Sequence, residues 1–171
     1  CVLGLLLRDF IETTFRTLAL TAVMLIVFGL LLGWAERRGS QTRTIAQLGV
    51  KDGVLLGLAQ AMALIPGVSR SGGTITVALL LGLTREAAAR FSFLLAIPAV
   101  LLSGFYMLLF KREPMTPDQW GMTLAATFVA FVVGYAVIVW FMRLISHKGF
   151  TFFVVYRVVL GLSLIHISEP T

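Results

Sequence analysis

Apolar residues run with few breaks from Thr17 to Trp34 ("TLALTAVMLIVFGLLLGW"), from Ala87 to Phe110 ("AAARFSFLLAIPAVLLSGFYMLLF") and from Trp120 to Met142 ("WGMTLAATFVAFVVGYAVIVWFM"). Each run is close to the ~20 residues that an α-helix needs to cross a bilayer core. Three spanning helices are therefore predicted, the second kinked at Pro98, the third anchored by Trp120 and Trp140 near its edges. A last helix is expected from about Phe150 to Leu164. Between Gly53 and Leu83 the pattern changes: two apolar pieces, each too short to cross alone, flank the polar stretch "PGVSRSGGT". The pattern predicts an all-α, polytopic membrane protein.

The segments between the runs are polar. "AERRGSQTRTIAQLGVKD" reads as a basic loop with room for a short interfacial helix, "KREPMTPD" as a turn-rich loop and "RLISHKG" as a solvated loop holding His147 and Lys148. The opening "CVLGLLL" is too short to span. Residues 1–164 are expected to form one membrane domain lacking an N-terminal part, and residues 165–171, polar after Leu164, a non-native tail.

The basic residues test how Gly53 to Leu83 sits in the membrane, because cytoplasmic loops collect Lys and Arg. If the segment crosses, Arg37, Arg38, Arg43, Lys51, Lys111 and Arg112 face Arg8, Arg16, Arg85, Arg90, Arg143 and Lys148, six on each side. If it dips in and returns, Arg37, Arg38, Arg43, Lys51, Arg85, Arg90, Arg143 and Lys148 share one side, leaving Arg8, Arg16, Lys111 and Arg112 opposite, eight against four. The re-entrant helix–loop–helix hairpin, about residues 53–83, gives the better asymmetry.

Composition agrees: hydrophobic residues make up 58% of the chain and charged residues 13%, and the mean hydropathy is +0.96. These values are too apolar for a soluble domain, and the recurrence of apolar runs rules out a lone secretory signal. One cysteine, Cys1, excludes an internal disulfide, and His147 and His166 lie too far apart for a zinc motif. The net charge of +6 comes from residues between apolar runs rather than from a basic stripe, which points to topology and not to nucleic acid.

The chemistry concentrates in the broken segment. Backbone that leaves its helix at membrane depth is tolerated only where protein or a polar cavity satisfies it. Gly67, Gly72 and Gly73 allow close backbone approach to a ligand, and a helix beginning near Thr74 turns its free N–H groups and positive dipole end back into the loop. Arg70 supplies a planar fork of donors, and Ser69, Ser71 and Thr74 supply hydroxyls. Arginine inside a membrane segment costs roughly 2.5–3.5 kcal/mol on insertion scales, so a purely structural kink is the weaker reading. The expected ligand is a phosphate-bearing anion.

Other polar residues have plainer readings. Arg157, in "VVYRVVL", either faces the site or pairs or snorkels elsewhere. Tyr156 reads as packing, Pro98 and Ser103 as helix-packing features, and Glu86 with Arg90 as an i,i+4 surface pair. The acids are Asp9, Glu12, Glu36, Asp52, Glu86, Glu113, Asp118 and Glu169, none within ten residues of the motif. A general acid or base and any divalent-metal ligand must come from elsewhere, so this chain is expected to hold half an active site and no metal ligand.

The stretch "GLAQAMALIPGVSRSGGTITVALLLGLTREAAARFSFLLAIP" resembles the second signature of the bacterial undecaprenyl-diphosphatases, the bacitracin-resistance family, and "FTFFVVYRVVLG" resembles that family's C-terminal helix. The likeness extends from the start of the chain to about Leu164. It implies the second half of an inverted repeat with two re-entrant hairpins, in the plasma membrane of a bacterium, with the site accessible from the outer side. It implies hydrolysis of undecaprenyl pyrophosphate to undecaprenyl phosphate and inorganic phosphate, which recycles the lipid carrier of peptidoglycan synthesis and confers bacitracin resistance. Ser69 and Arg70 would be catalytic, Ser69 as nucleophile or as positioner. Gly67, Ser71, Gly72, Gly73, Thr74, Gln60 and Arg157 would contact substrate, Gln60 at the position of a first-signature glutamate. Polyprenyl pyrophosphate and membrane lipid are the implied partners, with a homodimer and a Mg2+ or Ca2+ requirement. The family's first signature, E-G-x-T-E-F-L-P-V-S-S-T-G-H, is absent, so its acids and histidine are missing and the chain alone is expected to be inactive. The main alternative is an anion transporter or channel built on a broken helix. A non-catalytic scaffold is disfavoured by the motif, and acid-phosphatase-like enzymes need a P-S-G-H type motif that "PGVSRSGG" lacks.

Overall fold

A computed structural model describes residues 18–110 and 117–168. The run "CVLGLLL", Cys1, Arg8, Arg16, Lys111, Arg112, most of "KREPMTPD" and the last three residues of the tail lie outside the described residues. Among the described residues six α-helices follow one another: α1 Leu18–Arg38, α2 Val50–Ala61, α3 Arg70–Leu80, α4 Arg85–Phe110, α5 Pro117–Lys148 and α6 Thr151–Ser168. Among the described residues, α1, α4 and α5 are long and apolar enough to cross a membrane.

The outer helices pair through missing side chains. Glycine at positions 29 and 33 gives α1 a Gly-x-x-x-Gly stripe, the spacing that lets two membrane helices approach closely. A Cβ on Gly29 would lie 3.2 Å from Arg157 Cβ, and one on Gly33 would lie 3.3 Å from Val154 Cγ1. From the facing helix, a Cβ on Gly161 would lie 2.8 Å from the Ala22 carbonyl oxygen. The order of these contacts makes α6 antiparallel to α1.

The hairpin is re-entrant. At 1.5 Å per residue, α2 and α3 reach about 16–18 Å each, roughly half of a 30 Å bilayer core. Its two ends meet on one guanidinium: Arg43 Nη1 donates to the Leu81 carbonyl at 2.9 Å and Nη2 to Asp52 Oδ2 at 2.7 Å. The same loop is stitched to the turn after α3, because Thr42 and Arg43 donate their N–H groups to the Gly82 carbonyl at 3.0 and 2.9 Å and Thr84 N–H returns to Arg43 O at 3.0 Å. A segment whose start and return share one side chain cannot end on opposite faces of the membrane. At the deep end, Gly73 packs its bare Cα against Ala59 O, 3.1 Å from where a Cβ would sit, which sets how tightly α2 and α3 cross.

The buried core lies at the hairpin's open end, where Leu32, Ala35, Leu56, Leu79, Leu83, Ile145 and Phe150 join α1, α2, α3, α5 and the start of α6. The outer faces of α4 and α5 carry exposed apolar side chains, such as Leu109, Phe128 and Phe131, suited to lipid. Gln60 donates Nε2 to Leu95 O at 3.1 Å, one residue from the carbonyl that Pro98 leaves without its helical donor.

Several boundaries differ from the sequence reading. The loop after α1 contains a single 3-10 turn, Ile45–Gln47, in place of an interfacial helix. Helix α3 starts four residues before Thr74, because Ser69 caps it. Helix α5 absorbs "RLISHK", with His147 Nδ1 2.9 Å from Arg143 O, since nothing stops the helix before Gly149 at φ +66°. Helix α6 continues past Leu164 to Ser168.

Candidate functional site

The motif folds as a tight turn followed by a helix N-terminus. Gly67 adopts φ +93°, and a Cβ there would collide with the Thr21 carbonyl oxygen of α1, so both conformation and space demand glycine. Ser69 sits at φ +68° and ψ 127°. That conformation costs a non-glycine residue on the order of 1–3 kcal/mol, and such strain gathers at functional sites. Ser69 then closes the helix end: its Oγ accepts the Gly72 N–H at 3.3 Å and its carbonyl accepts the Gly73 N–H at 3.1 Å. Ser71 Oγ lies 3.4 Å from Ser69 Oγ. The backbone N–H groups of Arg70 and Ser71 are left without a partner among the described residues, at the positive end of the α3 dipole.

Arg157 braces this turn from α6. Its Nη2 donates to Gly67 O at 2.7 Å and to Val68 O at 3.0 Å, and its Nε approaches Leu25 O at 3.5 Å. The residue is 8% exposed. Two carbonyl dipoles are thereby held on the guanidinium, while Nη1 lies against Gly72 where a Cβ would otherwise be. Of the two readings open for Arg157, the structure gives it contact with the motif, through the loop backbone.

A cavity of about 290 Å³ opens beside the turn. Ser69, Ser71, Gly72, Tyr156 and Arg157 form its polar part, and Leu25, Leu32, Ile75, Phe141, Phe150 and Phe153 its apolar walls. Phe141 and Phe153 meet edge-to-face at 5.1 Å.

Other residues singled out from the sequence lie differently. Arg70 is exposed in the first turn of α3, does not line the cavity, and its side chain has no partner among the described residues. Thr74 is 0% exposed and donates Oγ1 to Arg70 O at 3.0 Å. Gln60 uses its amide on α4. Gly72 and Gly73 are helical, and what they provide is room for Arg157 Nη1 and Ala59 O. The expected Glu86–Arg90 pair is present at 2.7 Å.

The sequence reading passed over the apolar walls and over Glu36. The signal for Glu36 was a lone acid amid arginines, "WAERR", at the end of a spanning run. Among the described residues the donor set around the cavity is hydroxyl and guanidinium without a carboxylate, and those groups do not supply the hard anionic oxygens that a divalent cation needs.

The chain matches the family described as "Bacitracin resistance protein BacA" over residues 1–163. It is 59% identical over 163 residues to "Undecaprenyl-diphosphatase 2" of Agrobacterium fabrum, covering 95% of this chain and 59% of that relative. It is 60% identical over 163 residues to "Undecaprenyl-diphosphatase" of Micrococcus luteus, covering 94% and 59%. With the protein of the same name from Kineococcus radiotolerans it shares 61% over 157 residues, covering 92% and 56%. The chain thus spans less than two thirds of the length of these relatives.

Proposed function

The chain belongs to the bacitracin resistance protein family, and from that premise we propose that it forms the phosphate-holding part of an enzyme that hydrolyses undecaprenyl pyrophosphate to undecaprenyl phosphate and inorganic phosphate in a bacterial plasma membrane. The observation that carries the reading is the two-sided cavity. Ser69, Ser71 and Gly72 at the N-terminus of α3 and Arg157 line it together with aliphatic and aromatic side chains. An anion tethered to a hydrocarbon chain has this polarity.

In this reading the Ser71 N–H, the hydroxyls of Ser69 and Ser71, and Arg157 Nη1 hold the pyrophosphate oxygens. Arg157 Nη2 keeps the Gly67 and Val68 carbonyls from facing the anion. Arg70 adds positive field at the rim. Phosphoryl transfer asks chiefly for positioning and charge stabilisation. Ser69 acts as positioner, because its oxygen already accepts Gly72 N–H and no carboxylate or histidine adjoins it among the described residues. Water attacks the terminal phosphorus, the P–O bond to the lipid phosphate breaks, and the proton transfers are left to the segment of the relatives that this chain does not match. Any Mg2+ or Ca2+ would draw its carboxylates from that segment too.

The test joins this chain to the unmatched segment of the Agrobacterium fabrum relative and measures phosphate release from undecaprenyl pyrophosphate in liposomes. Release by the chimaera, absent from this chain alone and lowered about tenfold or more by Arg157→Ala, is the expected result. Anion flux without phosphate release would replace this reading with transport.

A further inference from the structure

The buried carboxylate of Glu36 lies outside the cavity, yet it holds the helix that carries Arg157. Glu36 is 8% exposed, and its Oε1 accepts two donors, Arg85 Nε at 2.7 Å and the Phe150 backbone N–H at 2.9 Å. Gln41 Nε2 donates to the Glu36 carbonyl at 2.7 Å and fixes the same turn of α1. Phe150 opens α6, its own carbonyl accepting the Val154 N–H at 3.0 Å. Gly149, at φ +66°, leaves no room for a Cβ because Glu36 Oε1 fills that place. The carboxylate therefore sits where α5 ends and α6 begins.

Arg157 lies about 10 Å, two helical turns, along α6 from this clamp. Between the two points the helix runs against the smooth Gly29 and Gly33 face of α1. Glycine faces permit close approach, and here they seat Val154 and the Arg157 stem directly on α1. Polar anchors bound this first part of α6, Glu36 on the Phe150 N–H at the open end of the hairpin and Arg157 on the Gly67 and Val68 carbonyls at the deep end. We infer that Glu36 is a positioning residue for the anion site, acting through α6 to keep the Arg157 guanidinium on the loop carbonyls and beside Gly72. The inference rests on the phosphatase reading for its activity readout, and it adds a residue remote from the cavity to that machinery.

A merely structural glutamate would lower activity only by unfolding the protein, whereas a positioning one would lower kcat/KM of protein that thermal midpoints, recorded for every sample, show to be folded at the assay temperature. A cross-link separates the two cases. The position of a Cβ on Gly33 is 3.9 Å from Val154 Cβ, which suits a disulfide. The experiment uses the chimaera with Cys1→Ser, Gly33→Cys and Val154→Cys, with Glu36 intact or replaced by Ala, each assayed reduced and oxidised. Because misplacement by about 1 Å can cost on the order of 10²-fold, the reduced Glu36→Ala protein is expected to lose about tenfold or more in kcat/KM. Oxidation is expected to restore it to within about threefold of the oxidised Glu36-intact protein. Glu36→Gln, which keeps an acceptor for Phe150 N–H, serves if the alanine variant does not fold, and its smaller loss should recover in the same way.

Persistence of the loss after complete disulfide formation overturns the inference, as does an unaffected reduced variant or a Glu36-intact protein in which the disulfide does not form. If the Glu36-intact chimaera releases no phosphate, the phosphatase reading fails separately. The same samples then give calorimetric affinity for inorganic pyrophosphate, where affinity lost with Glu36 and regained on oxidation sustains the positioning role and unchanged affinity defeats it.

Discussion

Arg157 Nη1 occupies the space that a side chain at Gly72 would fill. A helical glycine is ordinarily a weakness, about 1 kcal/mol worse than alanine. Here it is the condition for an arginine to reach the first turn of α3. Gly72→Ala should therefore raise the intrinsic helix preference while pushing the guanidinium from the cavity. The flexible end of Arg157 can move without disturbing the fold, so thermal stability of the chimaera should stay within a few degrees while phosphate release falls about tenfold or more. A fall in stability as steep as the fall in activity would contradict this account.

Arg157 holds two carbonyls with one nitrogen and keeps another nitrogen at the cavity. A lysine ammonium is a point charge without that fork. Arg157→Lys should consequently be nearly as damaging as Arg157→Ala, each losing about tenfold or more, since hydrogen bonds from a charged donor contribute roughly 1.5–3 kcal/mol. Arg70→Lys should be milder, because the exposed Arg70 guanidinium makes no fork-specific contact among the described residues. Comparing phosphate release for the four single variants Arg157→Lys, Arg157→Ala, Arg70→Lys and Arg70→Ala checks both statements, and a fully active Arg157→Lys would refute the first.

Much of this was written in the apolar runs. The spanning helices emerge because bilayer thickness sets a length that uninterrupted apolar residues reveal, and the hairpin was legible as two apolar pieces, each too short to cross, on either side of a polar break. The start of α3 was not legible, because Gly72 and Gly73 argue against helix locally and only the packing of Ala59 O and Arg157 overrides them. The partners of Arg157 are backbone carbonyls, which every residue carries, so no spacing of side chains could have announced them. Arg43 likewise joins Asp52 to the distant Leu81 carbonyl, a pairing that only the folded hairpin creates. The cavity walls were hidden for the opposite reason: Leu25, Ile75 and Phe153 look like every other apolar residue in a membrane chain.

Those walls should bind the prenyl chain in the same way before and during reaction. Contacts of this kind lower KM without raising kcat. Phe153, which packs edge-to-face on Phe141 and faces the cavity, is the most informative wall residue to truncate. Phe153→Ala should raise KM for undecaprenyl pyrophosphate about tenfold, the loss of some 50–60 Å² of apolar contact at about 25 cal/mol per Å², and leave kcat within about twofold. Michaelis curves at fixed lipid composition decide it, and a lowered kcat at constant KM would place Phe153 among the groups that act on the reacting phosphate.

The mouth of the hairpin should respond to acid. Asp52 Oδ2 accepts Arg43 Nη2 at 2.7 Å and the Gly49 N–H at 3.0 Å. The bond from Arg43, and after it the bond from Gly49, hold the carboxyl below its usual range. A group whose pKa is depressed on folding contributes stability that is present above its unfolded value and lost as pH falls through the folded one. The ionised clasp is therefore complete at neutral pH and fades below about pH 4, where an unfolded aspartate begins to protonate. Its partial exposure keeps the effect modest. Thermal midpoints of the chimaera in detergent should fall more steeply between about pH 5 and 3 for the native residue than for Asp52→Asn, with the two curves converging at the acid end. Parallel curves across that interval would mean that the Arg43 clasp does not distinguish the folded from the unfolded carboxylate.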